Sequence, residues 1–382
     1  MERALHIVTV VLGVTVVIAT VASAIKTVIL PRSASAVITR LVFLTVRRVF
    51  LVIAPPSATY ERRDRVLALY APVGLLAALA TWLGLTALGY TLIYWGLEDM
   101  SWARAFELSG SSLLTLGIAG PIEVGTTALV FTEAALGLFL LALLITYLPS
   151  IYAAFSRREI GVTSLEVRAG SPPSGREMVW RYHALDRMDE LRRVWEDWER
   201  WFLDVEETHT SFPAVVFFRS PQADHSWATA AGAVLDGAAL TLSTVDVPRD
   251  VQAEFCLRAG YLCLRRVADS FRVPYDPDPR PDDPISVRRD EWDEAVRSLE
   301  EAGVPLKADR EQAWRDFAGW RVNYDTVLLA ACDLVSAPDA PWSSDRAGDR
   351  SFRGRIFGRA PARSRERAQA RDSAPRGRPE RP

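Results

Sequence analysis

The sequence predicts an all-α membrane protein, on three observations. Long apolar runs able to cross a bilayer are confined to the residues before Phe155. Most charge lies after that point, in a half whose apolar residues recur at helical spacing. Between the second and third runs sits Ser101–Pro121, SWARAFELSGSSLLTLGIAGP, too polar and too short to span by itself. The net charge of −2 and the 49% hydrophobic content average two unlike halves and describe neither. A chain of 382 residues is long enough for two or three structural units.

Residues 1–31 form the first unit, an N-terminal transmembrane helix. Its apolar run His6–Leu30 is long enough to span, and Lys26 near its end snorkels to the interface. Ala22-Ser23-Ala24 is a signal-peptidase-like site. However, the run exceeds a usual signal core, and Arg3 is offset by Glu2, so the helix is expected to be retained. Residues 32–65 are a basic connector, with Arg32, Arg40, Arg47, Arg48, Arg62, Arg63 and Arg65 opposed only by Glu61 and Asp64. Within it, Ala36–Ala54 is apolar but interrupted by arginines, and Arg40 and Arg47 share one helical face. This reads as an amphipathic interfacial helix, ended by Pro55-Pro56. The arginines place the connector in the cytoplasm, the N-terminus outside and the C-terminal half inside, as expected of a multi-pass plasma-membrane protein. Arg157 and Arg158, after the third run, agree with that orientation.

Residues 66–155 hold the second run, Val66–Leu97, the segment Ser101–Pro121, and the third run, Ala128–Phe155. The first half of the segment predicts a short helix with Ser101 as N-cap and Trp102, Ala105, Phe106 and Leu108 as apolar contacts. The second half, Thr115-Leu116-Gly117-Ile118-Ala119-Gly120, carries glycines that permit irregular backbone. At membrane depth such backbone is tolerated only where protein buries it or water lines it.

Span, short helix, glycine-bearing strand and span together resemble the two-transmembrane pore-loop module of potassium-channel-like cation channels, over about residues 66–155. The family's filter is Thr-Val-Gly-Tyr-Gly, whose carbonyls replace the ion's water shell. Here Thr115-Leu116-Gly117 matches its first three places. Ile118 stands for the aromatic, Ala119 for the second glycine, Gly120 falls one place late, and Pro121 follows where the family has an acidic residue. The resemblance implies a filter of Thr115, Leu116, Gly117, Ile118, Ala119 and Gly120, and a pore helix bearing Trp102, Glu107 and Ser111. It also implies potassium ions in the pore with no other cofactor, and a homotetramer, since one loop cannot enclose a pore. Gating by the third span is implied too, with Gly137 as hinge and Pro149 at the inner constriction; close packing and a tolerated kink are the plainer readings of these two residues. Glu98, Asp99, Glu107 and Glu123 against Arg104 would make the outer mouth negative, or would simply be a solvated loop. If Glu107 is buried, Arg104 or a hydroxyl of Ser109, Ser111 or Ser112 is its expected partner.

The polar half reads as a linker at 156–177, an all-α cytoplasmic domain at 178–337 and a disordered Arg-rich tail at 338–382. Leu185, Met188, Leu191, Val194, Trp195, Trp198, Trp201, Phe202 and Val205 mark one helix whose tryptophan stripe is core. Further helices are expected at about 227–242, 249–271, 289–302 and 309–335, with a proline-bound loop at 275–284. Glu206-x-x-His209 has metal-ligand spacing but lacks a second pair, and a polar helix end is the better reading. Cys256, Cys263 and Cys332 are expected as buried free thiols. No phosphate-cradling loop or nucleophile motif occurs, so neither an enzyme nor a nucleotide-sensing domain is expected. The tail's arginines suit anionic lipid or a merely solubilising tail with no partner, while nucleic-acid binding has no aromatic or structural support. Two functions remain: a cation channel with a helical regulatory or assembly domain, and a membrane-anchored sensor or scaffold whose helical domain binds a cytosolic partner.

Overall fold

The computed structural model describes residues 2–29, 37–55, 58–121 and 124–346. Among them the chain forms α-helices and no strand, apart from a single antiparallel bridge between Val245 and Leu306. It divides into two compact units: Met1–Arg157 with Glu207–Ala223, and Arg158–Glu206 with the chain from Asp224 onward.

In the first unit, α1 (Glu2–Val28), α4 (Tyr70–Leu97) and α6 (Val124–Ala169) are long and apolar enough to cross a membrane, and the chain is a membrane protein. Helix α1 packs antiparallel on α4 through small residues that let the backbones approach. A Cβ on Gly13 would lie 2.5 Å from the Gly89 carbonyl, and one on Gly96 would lie 2.7 Å from the Thr9 hydroxyl. At that end His6 stacks on Trp95, centroids 5.9 Å apart. The segment expected at the interface forms α2 (Val37–Ile53), bounded as expected. It meets α1 where the Thr27 and Thr39 hydroxyls lie 2.7 Å apart, and α4 where Tyr70 donates to the Phe43 carbonyl at 3.2 Å. The short α3 (Tyr60–Leu67) follows, then α4, α5 (Trp102–Leu113) and α6.

Residues 207–223, expected within the helical domain, belong instead to this unit. Phe212–Phe218 is a bare apolar run in a polar half and must be covered. Ala214 and Val215 enter a core with Leu75, Leu144, Tyr147, Ile151 and Ala154. Phe212 meets Tyr147 with centroids 5.5 Å apart, and Phe217 meets Tyr70 at 5.2 Å. Arg219 closes the segment onto α3 through Asp64 and the Tyr60 hydroxyl, and that hydroxyl donates to the Ala223 carbonyl at 2.8 Å.

In the second unit, α7 (Gly175–Ala184), α10 (Val251–Ser270), α12 (Arg310–Arg321) and α13 (Asp325–Val335) pack around α9 (Trp227–Ser243). Helix α9 is buried on almost every face, because its alanines and glycines admit neighbours on all sides. A Cβ on Gly175 would stand 2.4 Å from the Gly237 nitrogen. Helices α8 (Leu191–Ser211) and α11 (Arg289–Glu301) complete the set. Trp195, Trp198 and Phe202 of α8 are buried, so the tryptophan stripe is core.

Four sequence boundaries shift. The linker at 156–177 is helical as far as Ala169, since nothing before Gly170 (φ +80°) breaks the helix. The helix expected from Leu185 begins at Leu191, after a 3-10 turn at Met188–Glu190, and Leu185 is exposed. The helix expected over 309–335 is two, because the Asn323 amide caps α12 by donating to the carbonyls of Gly319 and Trp320. The domain also runs past 337: Ala340, Ser343 and Ser344 are buried, and Arg346 pairs with Glu291 at 2.6 Å. The remainder of the expected tail, 347–382, lies outside the described residues.

All three cysteines are buried and free, and burial pushes their thiols up, that of Cys332 to about 12. The thiolate is the reactive form, so a disulfide-exchange reagent should label none of them in the folded protein and all three in denaturant. Absorbance of the released thiol checks this; rapid labelling of the native chain would contradict it.

Candidate functional site

Helix α5 is built as its sequence predicts at the start and is held at depth by contacts that only the fold supplies. The Ser101 side chain accepts from the Arg104 nitrogen at 3.3 Å, the N-cap. Ala105 and Leu108 are buried, Trp102 lies edge-on to Trp95, and Phe106 is exposed. Further along, Ser109 reaches the Ala87 carbonyl of α4 at 2.9 Å. Ala87 is ten residues from the end of α4, about 15 Å along a helix rising 1.5 Å per residue. The Leu113 carbonyl meets α6 at Gly137, where a Cβ would stand 2.2 Å away. Gly137 is thirteen residues into α6, about 20 Å from its start. The far end of α5 thus lies about 15–20 Å along α4 and α6 from their near ends, beside two helices long and apolar enough to cross a membrane.

From there the backbone turns back along its own helix. Leu116 nitrogen donates to the Ser111 carbonyl at 2.8 Å. The Ser111 hydroxyl accepts from Ala119 nitrogen at 3.0 Å and lies 3.2 Å from the Ala119 carbonyl. Arg104, in the first turn, lies 3.5 Å from the Gly120 carbonyl. Thr115 (φ +53°) and Gly117 (φ +70°) occupy the left-handed region, alternating with Leu114 (φ −92°) and Leu116. Such alternation turns successive peptide dipoles to a common side, which in an ordinary strand alternate. Leu114, Thr115, Leu116, Gly117, Ile118 and Gly120 are all exposed in the single chain, and Ile118 reaches 71%.

The structure thus brings the candidate filter residues together on one returning irregular segment, with Ser111 behind it and Trp102 at the helix start. Glu107 is half exposed and pairs with Arg104 at 2.9 Å. Of the acidic residues at that end, Glu98 accepts from Thr126, and Glu123 lies outside the described residues. Gly137 is a close-packing point for α5, and Pro149 lies on an exposed face of a helix that continues through it.

Sequence reasoning missed Glu133. It is fully buried on α6, with one carboxyl oxygen 2.8 Å from the Tyr94 hydroxyl and the other 2.5 Å from Ser109 Oγ. It therefore ties α6 to α4 and to α5. The available signal was a carboxylate inside the apolar run 128–155, since intramembrane carboxylates mark functional sites by default. Glu206 pairs with Arg266, and His209 Nδ1 lies 3.1 Å from the Thr208 hydroxyl. Among the described residues no cluster of His, Cys, Asp or Glu is placed to hold a metal.

Comparison with known proteins gives no match to a family model, a curated protein or a solved structure. The reading of this site rests on its own geometry.

Proposed function

We propose that the protein is a homotetrameric pore-loop cation channel, potassium-conducting, in the plasma membrane with its helical domain in the cytoplasm. One observation carries the reading: the largely exposed, non-helical segment at 114–120 follows a helix whose contacts with α4 and α6 lie about 15–20 Å from their near ends, about half of a hydrocarbon core ~30 Å thick. Backbone of that kind cannot face lipid, because each unpaired peptide group there costs several kcal/mol, of order 2–7. It must be covered by further copies of the chain or line water, and a ring of copies around a central path does both. The φ alternation at Thr115 and Gly117 supports a filter made from carbonyls aimed at that path. Residues 115–120 form the filter, the α5 residues Trp102, Glu107 and Ser111 support it, and the third span gates it. The Gly137 contact with Leu113 links that span to the hairpin, and Pro149 marks the inner constriction. Lipid surrounds the outer faces, and a cytosolic regulator acts through the helical domain.

Purified protein in a planar bilayer, with potassium on one side and sodium on the other, should pass current reversing near the potassium equilibrium potential. Gly117→Val should abolish that current and leave the tetramer intact, since a branched side chain is strained at φ +70° and crowds the path. Unchanged current in the variant rejects the filter assignment. A silent protein that is monomeric or dimeric in detergent, and that retains a specific cytosolic partner, replaces the channel by the sensor or scaffold reading.

A further inference from the structure

We propose that Glu133 is held as the neutral, protonated acid, and that in this form it positions the re-entrant helix by acting through Ser109. Ser109 Oγ is 2.9 Å from the Ala87 carbonyl and 2.5 Å from Glu133 Oε1. Both separations are hydrogen-bond distances, and each needs one hydrogen. Ser109 has a single hydroxyl hydrogen, and a carbonyl oxygen has none to give. If Ser109 donates to an ionised Glu133, two bare oxygens face each other at 2.9 Å. If Ser109 donates to Ala87, the hydrogen in the 2.5 Å contact comes from Glu133. Only this second arrangement leaves every contact with one hydrogen, and Tyr94 then donates to the other carboxyl oxygen at 2.8 Å.

The surroundings agree. Tyr90 and Tyr94 face this region from α4, Ser109 and Ser112 from α5, and Thr132 from the same helix, its hydroxyl 3.0 Å from that of Tyr90. Among the described residues no lysine, arginine or histidine contacts Glu133. An ionised Glu133 would be a fully buried charge without a counter-ion, at the depth where that is most costly. As the acid it completes a chain from carboxyl to hydroxyl to carbonyl, running from α6 through α5 to α4. That chain sets how deep α5 sits.

The inference rests on the re-entrant geometry and not on conduction, so it is tested without current. Infrared spectra of the full-length protein in detergent at neutral pH are compared with those of Glu133→Gln. The difference should contain the C=O stretch of a protonated carboxylic acid, and Ser109→Ala should shift that band. A difference containing only carboxylate stretches overturns the proposal. The positioning role is read from thermal midpoints. Glu133→Gln should stay near wild type, because its amide donates to Ser109 and its carbonyl accepts from Tyr94, whereas Glu133→Ala should fall by several degrees. A Gln variant that falls as far as the Ala variant overturns it. The loss of the pore reading, by a silent protein that is not tetrameric, would leave this result standing.

Discussion

Gly137→Ala should dislodge the re-entrant helix from the third span. The added Cβ would stand 2.2 Å from the Leu113 carbonyl, and that neighbour is backbone that no rotamer change can move. Overpacking of a closed contact costs about 1–3 kcal/mol, and a clash with backbone belongs at the upper end. The midpoint of thermal unfolding in detergent should fall by several degrees, and the tetramer proposed above should dissociate on size exclusion. Gly110→Ala is the control. It lies on α5 with nothing within 4 Å of its Cβ position, so it should be neutral or stabilise by up to about 1 kcal/mol through helix propensity. Equal behaviour of the two variants would reject the close contact at Gly137.

Arg321→Met should destabilise the helical domain most. The guanidinium is fully buried and pairs with Asp236, with Asp325 at 2.9 Å, and with the Trp342 carbonyl. Burial opposes its charge, but Asp236 and Asp325 more than offset this and hold it above its ordinary value. Tyr324 donates to Asp236 and Ser286 to Asp325, while burial pushes the Asp236 carboxyl above its ordinary value against the pull of Arg321. Removing the arginine strands both in a dry core, where breaking such a network costs about 3–5 kcal/mol. Denaturant unfolding of the full chain, followed by tryptophan emission, should show that loss. Arg193→Met, on an exposed pair with Glu190, should change stability by less than about 1 kcal/mol. A small effect at Arg321 would mean that water reaches the network.

Much of the fold was legible because its signals are local. The spans announce themselves as apolar runs, Ser101 caps α5 from its own sequence, and the helices from Trp227 and Arg289 begin where periodicity and charge place them. The long-range contacts were not legible. Nothing local assigns Phe212–Phe218 to the first unit, since an apolar run states that it must be buried but not against what. Glu133 was visible as a carboxylate in a span, yet its partners Tyr94 and Ser109 lie 39 and 24 residues away.

By itself, then, the sequence determined that this is a helical membrane protein with a polar helical half and a glycine-bearing segment between two spans. Hydrophobic length and periodicity are properties of consecutive residues, and burial in lipid or core follows from them directly. Only the tertiary structure decided that Leu113 meets Gly137 and the segment returns on Ser111, that Glu133 meets Ser109 and Tyr94, and that Arg321 is buried against Asp236 and Asp325. Those outcomes depend on which distant backbones approach within bonding distance. Close packing and hydrogen-bond complementarity set that approach in three dimensions, and residue order carries it only through the finished fold.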